Sequence, residues 1–170
     1  MTGGGATLVA TALGVSAAAL PLAIDMSPRF IWNASASVPI GLYAMEPASQ
    51  LQLNDLVVVR PPEDVAAFLA EGGYLPCGVP ILKHVLALPG QTVCRFGSAV
   101  SVDAVAIGDA RERDSHGRAL PVWEGCRVIA KGDVFLMNRA ADSFDGRYFG
   151  PLPASTIVGR AEPLWTEWEE

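Results

Sequence analysis

Ile81-Leu82-Lys83-His84-Val85-Leu86-Ala87-Leu88-Pro89-Gly90 is a run of apolar residues closed by a Pro-Gly turn, with a single lysine set inside it. Branched and aliphatic residues over a short stretch bounded by breakers read as a strand. Working outward, runs at 41–46, 55–60, 91–96, 133–138 and 156–161 share this character and are separated by Gly, Pro and Asn/Asp turns. The predicted architecture is therefore mostly β. One helix interrupts the strands at 62–71. Pro61-Pro62-Glu63-Asp64 places proline and two carboxylates in its first turn, Val65, Phe68 and Leu69 form one apolar stripe, and Gly72-Gly73 stop it. Residues 97–123 mix small, charged, Gly and Pro residues around a weak strand signal at 100–107, which predicts a hairpin excursion with a mobile tip. His116 in that tip reads as a solvated loop residue.

Residues 5–24 form a run of twenty mostly apolar residues with no charge before Asp25. About 20 helical residues at about 1.5 Å each match a hydrocarbon core of about 30 Å, so residues 1–26 are predicted to be a transmembrane anchor and 27–170 the functional domain. A cleaved secretory signal is the competing reading. Against it stand the absence of Lys or Arg ahead of the run and a length beyond the usual apolar region of about 7–15 residues. Arg29 is the only cation nearby, and charge alone does not fix the orientation.

The chain has 170 residues, room for one ordinary domain or a smaller one with an anchor. An apolar content of 51% against 18% charged residues excludes a largely disordered chain. With 12 Lys+Arg against 18 Asp+Glu, and no basic run, nucleic acid is an unsuitable partner. Cys77, Cys94 and Cys126 lack the close pairing of a zinc site, so no metal and no cofactor are expected.

Chemistry points to two places. In Asn33-Ala34-Ser35-Ala36-Ser37-Val38-Pro39-Ile40-Gly41, the proline and glycine bend the chain and present Ser37 at the start of a strand. Lys83 lies inside an apolar strand, where burial disfavours the ammonium and lowers the pKa, as a lysine acting as base toward a serine hydroxyl requires. His84 falls on the opposite face and reads as structural. No His or Cys has a convincing catalytic partner.

These motifs, in this order, resemble the type I signal peptidase family of Ser/Lys proteases, and within it the conjugative-transfer, TraF-type branch. Ser37-Val38-Pro39 resembles the family's serine box, and Asn54-Asp55-Leu56-Val57 its Gly-Asp-x-Val strand, with Asn54 in place of glycine. Lys83-His84-Val85 through Leu88-Pro89-Gly90 resembles the lysine box. Asn138-Arg139 with Ser143-Phe144-Asp145-Gly146-Arg147-Tyr148 is similar to the final box, one residue longer here between Asn138 and Arg147. Gly41-Leu42-Tyr43, and Gly73-Tyr74-Leu75-Pro76 before the lysine strand, suggest the TraF-type branch.

The resemblance implies a signal-peptidase-like set of coiled antiparallel sheets with one inserted helix. It makes Ser37 the nucleophile and Lys83 the base. Ser35 becomes the hydroxyl that joins the Ser37 N–H in the oxyanion hole, a place that Asn33 or a backbone amide could take instead. Ser143 becomes the residue that aims the lysine, and Asp145 and Arg147 a structural ion pair beside the site. It further implies a single-pass inner-membrane protein with its catalytic domain on the periplasmic side, which cuts the leader of an exported, pilin-like substrate in contact with a conjugation or type IV secretion apparatus. An external compartment permits a disulfide, and Cys94 with Cys126 is the expected pair, leaving Cys77 free. A housekeeping type I signal peptidase, a non-enzymatic anchored β module of a secretion apparatus, and a Ser/Lys autoprocessing repressor are the alternatives. The last lacks the basic helix-turn-helix it would need.

Overall fold

The computed structural model of the chain describes residues 3–23 and 29–167. In order these form α1 (Gly3–Ala23), β1 (Phe30–Asn33), β2 (Ile40–Glu46), β3 (Leu56–Val59), α2 (Glu63–Glu71), β4 (Ile81–Ala87), β5 (Thr92–Phe96), β6 (Ala99–Val102), β7 (Val105–Asp109), β8 (Gly125–Val128), β9 (Asp133–Met137), α3 (Gly146–Phe149), β10 (Leu152–Pro153) and β11 (Ile157–Glu167). The strands make two sheets, a seven-stranded one in the order β1-β2-β11-β3-β4-β9-β10 and a four-stranded one in the order β7-β6-β5-β8. Every pairing is antiparallel.

The lysine strand β4 lies inside the large sheet, between β3 and β9, with Val57 opposite Lys83 and Val58 opposite Leu82. Because successive side chains alternate, each face of β3 and β4 feeds a different core. Val57, Val59 and Val85 pack with Val65 and Leu69 of α2, while Val58 and Leu82 pack with Val38, Tyr43 and Ala161. The stripe read from the sequence thus seats α2 on one face of the sheet. A third cluster, built on Val93, Val100, Trp123, Phe135 and Met137, joins the small sheet to the large one.

Residues 97–123 do more than form an excursion. Their hairpin, β6 and β7, supplies half of the small sheet, and β5 and β8 supply the rest. Nor is the tip free. Asp114 accepts from Tyr74 Oη at 2.5 Å and from Arg118 Nε at 2.6 Å, and Arg118 Nη1 reaches the Gly72 carbonyl at 2.6 Å, fastening the tip to the end of α2. Cys94 and Cys126 face each other directly across β5 and β8 and are joined as a disulfide, and Cys77 is free and exposed.

α1 covers most of the expected anchor, 1–26, of which residues 1, 2 and 24–26 lie outside the described ones. Among the described residues no helix is long and apolar enough to cross a membrane. Past it, Phe30, Ile31 and Trp32 form strand β1 against β2, with Phe30 and Trp32 exposed and Ile31 turned onto the core.

Candidate active site

The bend carrying Ser37 links β1 to β2, and Asn33 shapes it. The Asn33 amide donates to the carbonyls of Ser35, Val38 and Pro39 at 2.8, 3.0 and 3.1 Å, and its oxygen accepts the Ser35 N–H at 3.1 Å. Both N–H groups of the Asn33 amide are thus turned onto the bend's own carbonyls. Tyr43 Oη donates to the Pro39 carbonyl at 2.6 Å, and Val38 is buried, so the bend is pinned on both sides of the serine. The Ser37 N–H donates to Ser35 Oγ at 3.3 Å, and the Ser35 hydroxyl donates to Ser37 Oγ at 3.1 Å. The Ser35 hydroxyl and the Ser37 N–H, the two expected oxyanion donors, therefore lie together beside Ser37 Oγ.

Lys83 is only 4% exposed, and its amine donates to Ser143 Oγ at 2.8 Å. Burial pulls its pKa down from 10.5 to about 8, the nearby Asp145 carboxylate opposes this, and the Arg147 guanidinium adds to it. Near neutral pH a useful fraction of such an amine is unprotonated.

Ser143 is held by the ion pair behind it. Asp145 and Arg147 are both almost wholly buried and meet at 2.8 and 2.9 Å through two parallel bonds. Asp145 also caps α3 by accepting the Arg147 N–H. The guanidinium then gathers the loop before α3, since Arg147 Nη2 donates to the carbonyls of Ala140 at 2.6 Å and of Asn138 and Ser143 at 3.3 Å. Within this stretch a turn is closed from the Ser143 N–H to the Ala140 carbonyl at 3.1 Å. Gly146 has no room for a side chain, because a Cβ there would lie 2.6 Å from the Phe135 ring and 2.7 Å from the Leu136 carbonyl.

A family model described as "Signal peptidase, peptidase S26" matches residues 5–166. The chain belongs to the peptidase S26 signal peptidase family. It is 38% identical over 146 residues to the conjugal transfer protein TraF of Agrobacterium fabrum (strain C58 / ATCC 33970), a match covering 79% of this chain and 81% of that protein. It is 31% identical over 145 residues to a plasmid transfer protein TraF of Escherichia coli, with the same two coverages, 79% and 81%. A signal peptidase I from Enterococcus faecalis V583 aligns in structure with a TM-score of 0.40 and 16% identity, over 66% of this chain and 97% of that one.

In this S26 family member the four motifs come from separate parts of the chain and meet on the large sheet. Asn54 stands at φ 71°, a left-handed conformation that glycine adopts freely and asparagine tolerates, which accounts for its place in the Gly-Asp strand motif. A direct Lys83–Ser37 bond is not among the hydrogen bonds of the described residues. The two sides are joined instead through Asn138, whose side-chain nitrogen donates to Ser37 Oγ at 3.2 Å and to the Leu82 carbonyl at 2.9 Å.

Two residues with structural parts here were not singled out by sequence. Asn138 appeared only as a motif marker. Arg95, 2% exposed, donates to the carbonyls of Gly97 at 3.1 Å, Pro121 at 3.3 Å and Arg147, tying the small sheet to α3. A cleft of about 280 Å³ opens beside Ser37, walled by Ala36, Val38, Pro39, Ile40 and Ala140, with Glu167 at its edge. Among the described residues no group of three or more His, Cys, Asp or Glu is placed to hold a metal.

Proposed function

We propose that this family member is a membrane-anchored serine endopeptidase that removes the leader of an exported pilin or other transfer-apparatus subunit, with Ser37 as nucleophile and Lys83 as base. The observation that carries the reading is a buried lysine, depressed to about pH 8 and held 2.8 Å from Ser143, on the strand that Asn138 ties to the Ser37 bend. As Ser37 Oγ attacks the scissile carbonyl, its proton passes to Lys83 Nζ. The Oγ–C bond forms, negative charge collects on the carbonyl oxygen, and the C–N bond breaks as Lys83 returns the proton to the leaving amine. Water then attacks the acyl-enzyme with Lys83 again as base, and Ser37 regains its proton. The Ser37 N–H and the Ser35 hydroxyl, once turned toward the cleft, supply donors to the oxyanion, each worth roughly 3–4 kcal/mol of barrier.

The transfer branch is favoured over a housekeeping signal peptidase by extent of match. The TraF relatives align over 79% of the chain, and a probable signal peptidase I-1 of Synechocystis over 65%. For the membrane, the supports are the uncharged run in α1, with Leu8, Val9, Leu13 and Val15 exposed, and an aromatic surface on the hairpin that carries Ser37. Trp32 and Trp165 both lie opposite Leu42 on neighbouring strands and stack at 5.8 Å, with Phe30 and Leu164 also exposed. Exposed tryptophans of this kind suit the lipid interface. The Cys94–Cys126 bond fits an oxidising compartment outside the cytoplasm.

Synthetic leader junctions incubated with the protein and weighed by mass spectrometry test the function. Cleavage is expected where small residues occupy the first and third positions on the leader side, and equal cleavage with large residues at both would overturn this specificity. A reporter fused after Glu170 should read periplasmic, and a cytoplasmic signal would overturn the topology.

A further inference from the structure

Asn138 sits at the end of β9, 2% exposed, and every one of its polar atoms has a partner. Its main-chain N–H donates to Asp145 Oδ2 at 3.1 Å, and its carbonyl accepts from Arg147. Its side-chain oxygen accepts the His84 main-chain N–H at 3.2 Å and lies 3.1 Å from His84 Nδ1. Its side-chain nitrogen faces the Leu82 carbonyl and Ser37 Oγ. The amide orientation is dictated by these neighbours. A carbonyl such as that of Leu82 only accepts, and a main-chain N–H such as that of His84 only donates, so a flipped amide would set acceptor against acceptor and donor against donor in the interior. The group aimed at the serine is therefore an N–H donor.

Resting on the peptidase reading above, we infer that Asn138 is a further catalytic residue, which donates a hydrogen bond to the nucleophile oxygen and stabilises the charge that oxygen carries on the way into and out of the acyl-enzyme. The five other contacts of Asn138 are all to the protein's own scaffold and fix its position, and the bond to Ser37 Oγ is the one made to a reacting atom. A hydroxyl oxygen accepts two hydrogen bonds and donates one. At Ser37 the Asn138 N–H fills one accepting site, which leaves the other for attack on the carbonyl and the hydroxyl proton for a base. In acylation the Oγ–H bond breaks toward Lys83 before the Oγ–C bond is complete, and the donor steadies the oxygen meanwhile. In deacylation the Oγ–C bond breaks with its electron pair returning to Oγ, and the same donor steadies it until the proton comes back. Asn138 makes this contribution without touching the leader, so it acts on turnover and leaves substrate affinity alone.

The test compares wild type, Asn138→Ala and Asn138→Asp on one cleavable leader peptide. It records kcat, the pH at which the rate rises, and binding of the uncleaved peptide in the Ser37→Ala background. Asn138→Ala should lose roughly 10²-fold in kcat, the usual effect of removing one donor to developing charge. Its rate should still rise near the wild-type pH, because the Lys83–Ser143 contact does not involve the amide, and Ser37→Ala should bind peptide within threefold with or without it. Should Asn138→Ala not fold, Asn138→Asp keeps the shape and the oxygen that His84 requires, and it should lose at least as much activity. Activity of the folded variants within threefold of wild type would overturn the inference. So would a loss in folded Asn138→Ala that appears as weakened binding or a displaced pH rise, since that is what a merely structural prop predicts. If wild type cleaves and the variants match it, only the role of Asn138 falls; if wild type cleaves no leader, the peptidase reading falls and this inference with it.

Discussion

Lys83→Arg is expected to reduce leader cleavage by roughly 10²–10⁴-fold, the range that a positioned general base contributes. Guanidinium keeps the charge and does not give up its proton in any accessible range, so it cannot receive one from Ser37. Arginine is also larger, in a place where the native side chain is 4% exposed. Lys83→Met separates loss of the base from loss of the fold. The sign follows from proton binding. Between about pH 8 and 10.5 the unfolded chain holds a proton on Lys83 that the folded protein has released, so this group makes stability rise with pH across that window. Below about pH 8 both states hold it, and the fold carries the full cost of a buried ammonium, on the order of 2–4 kcal/mol for a shift of this size. Lys83→Met should therefore be at least as stable as wild type at pH 7 and equally inactive as Lys83→Arg. Thermal unfolding beside cleavage rates checks both halves, and a folded Lys83→Arg protein that cleaves normally would remove Lys83 from the chemistry.

Asp145→Asn is expected to produce the largest loss of stability. It leaves the Arg147 guanidinium buried without its carboxylate, and breaking one side of a buried pair costs about 3–5 kcal/mol. For a chain of this length that is a fall of about 6–20 °C in melting temperature. The damage should extend to activity, because Arg147 gathers the carbonyls of Asn138, Ala140 and Ser143 and so places the serine to which the Lys83 amine donates. Replacing both partners, Asp145→Leu with Arg147→Met, should recover much of the stability without recovering turnover, since the apolar pair leaves no buried charge but no longer holds the loop. Circular dichroism melts of the single and double variants distinguish the cases. A single Asp145→Asn change within about 2 °C of wild type would contradict the structural role given to the pair.

What was legible in the sequence follows the strength of local signals. β4 was read at its observed limits, 81–87, because an apolar run between Val79-Pro80 and Pro89-Gly90 admits little else. Helix α2 was within a residue, fixed by its proline start and double-glycine stop. β1 and β8 are only four residues long, too short for a period of two to stand out, and β8 is mostly exposed besides. β11 continues to Glu167, well past the expected end at 161, because Pro163 reads as a breaker and the sheet absorbs it with a register shift between Pro163 and Trp165. The same logic holds at the site. Ser37 and Lys83 stood out because each is unusual where it lies. Asn138 did not, since its importance comes from His84, Leu82 and Ser37, which are distant in sequence and meet it only through the pairing of β4 with β9.

The central claim is that Lys83 removes the proton from Ser37, and the pH dependence of single-turnover leader cleavage tests it most directly. The charged groups that set the lysine are Asp145, which raises its pKa, and Arg147, which with burial lowers it. The acylation rate should rise about tenfold per pH unit on the acid side and level off above about pH 8, as the ammonium gives way to the free amine. A rate that stays flat from about pH 6 to 9 would contradict the account.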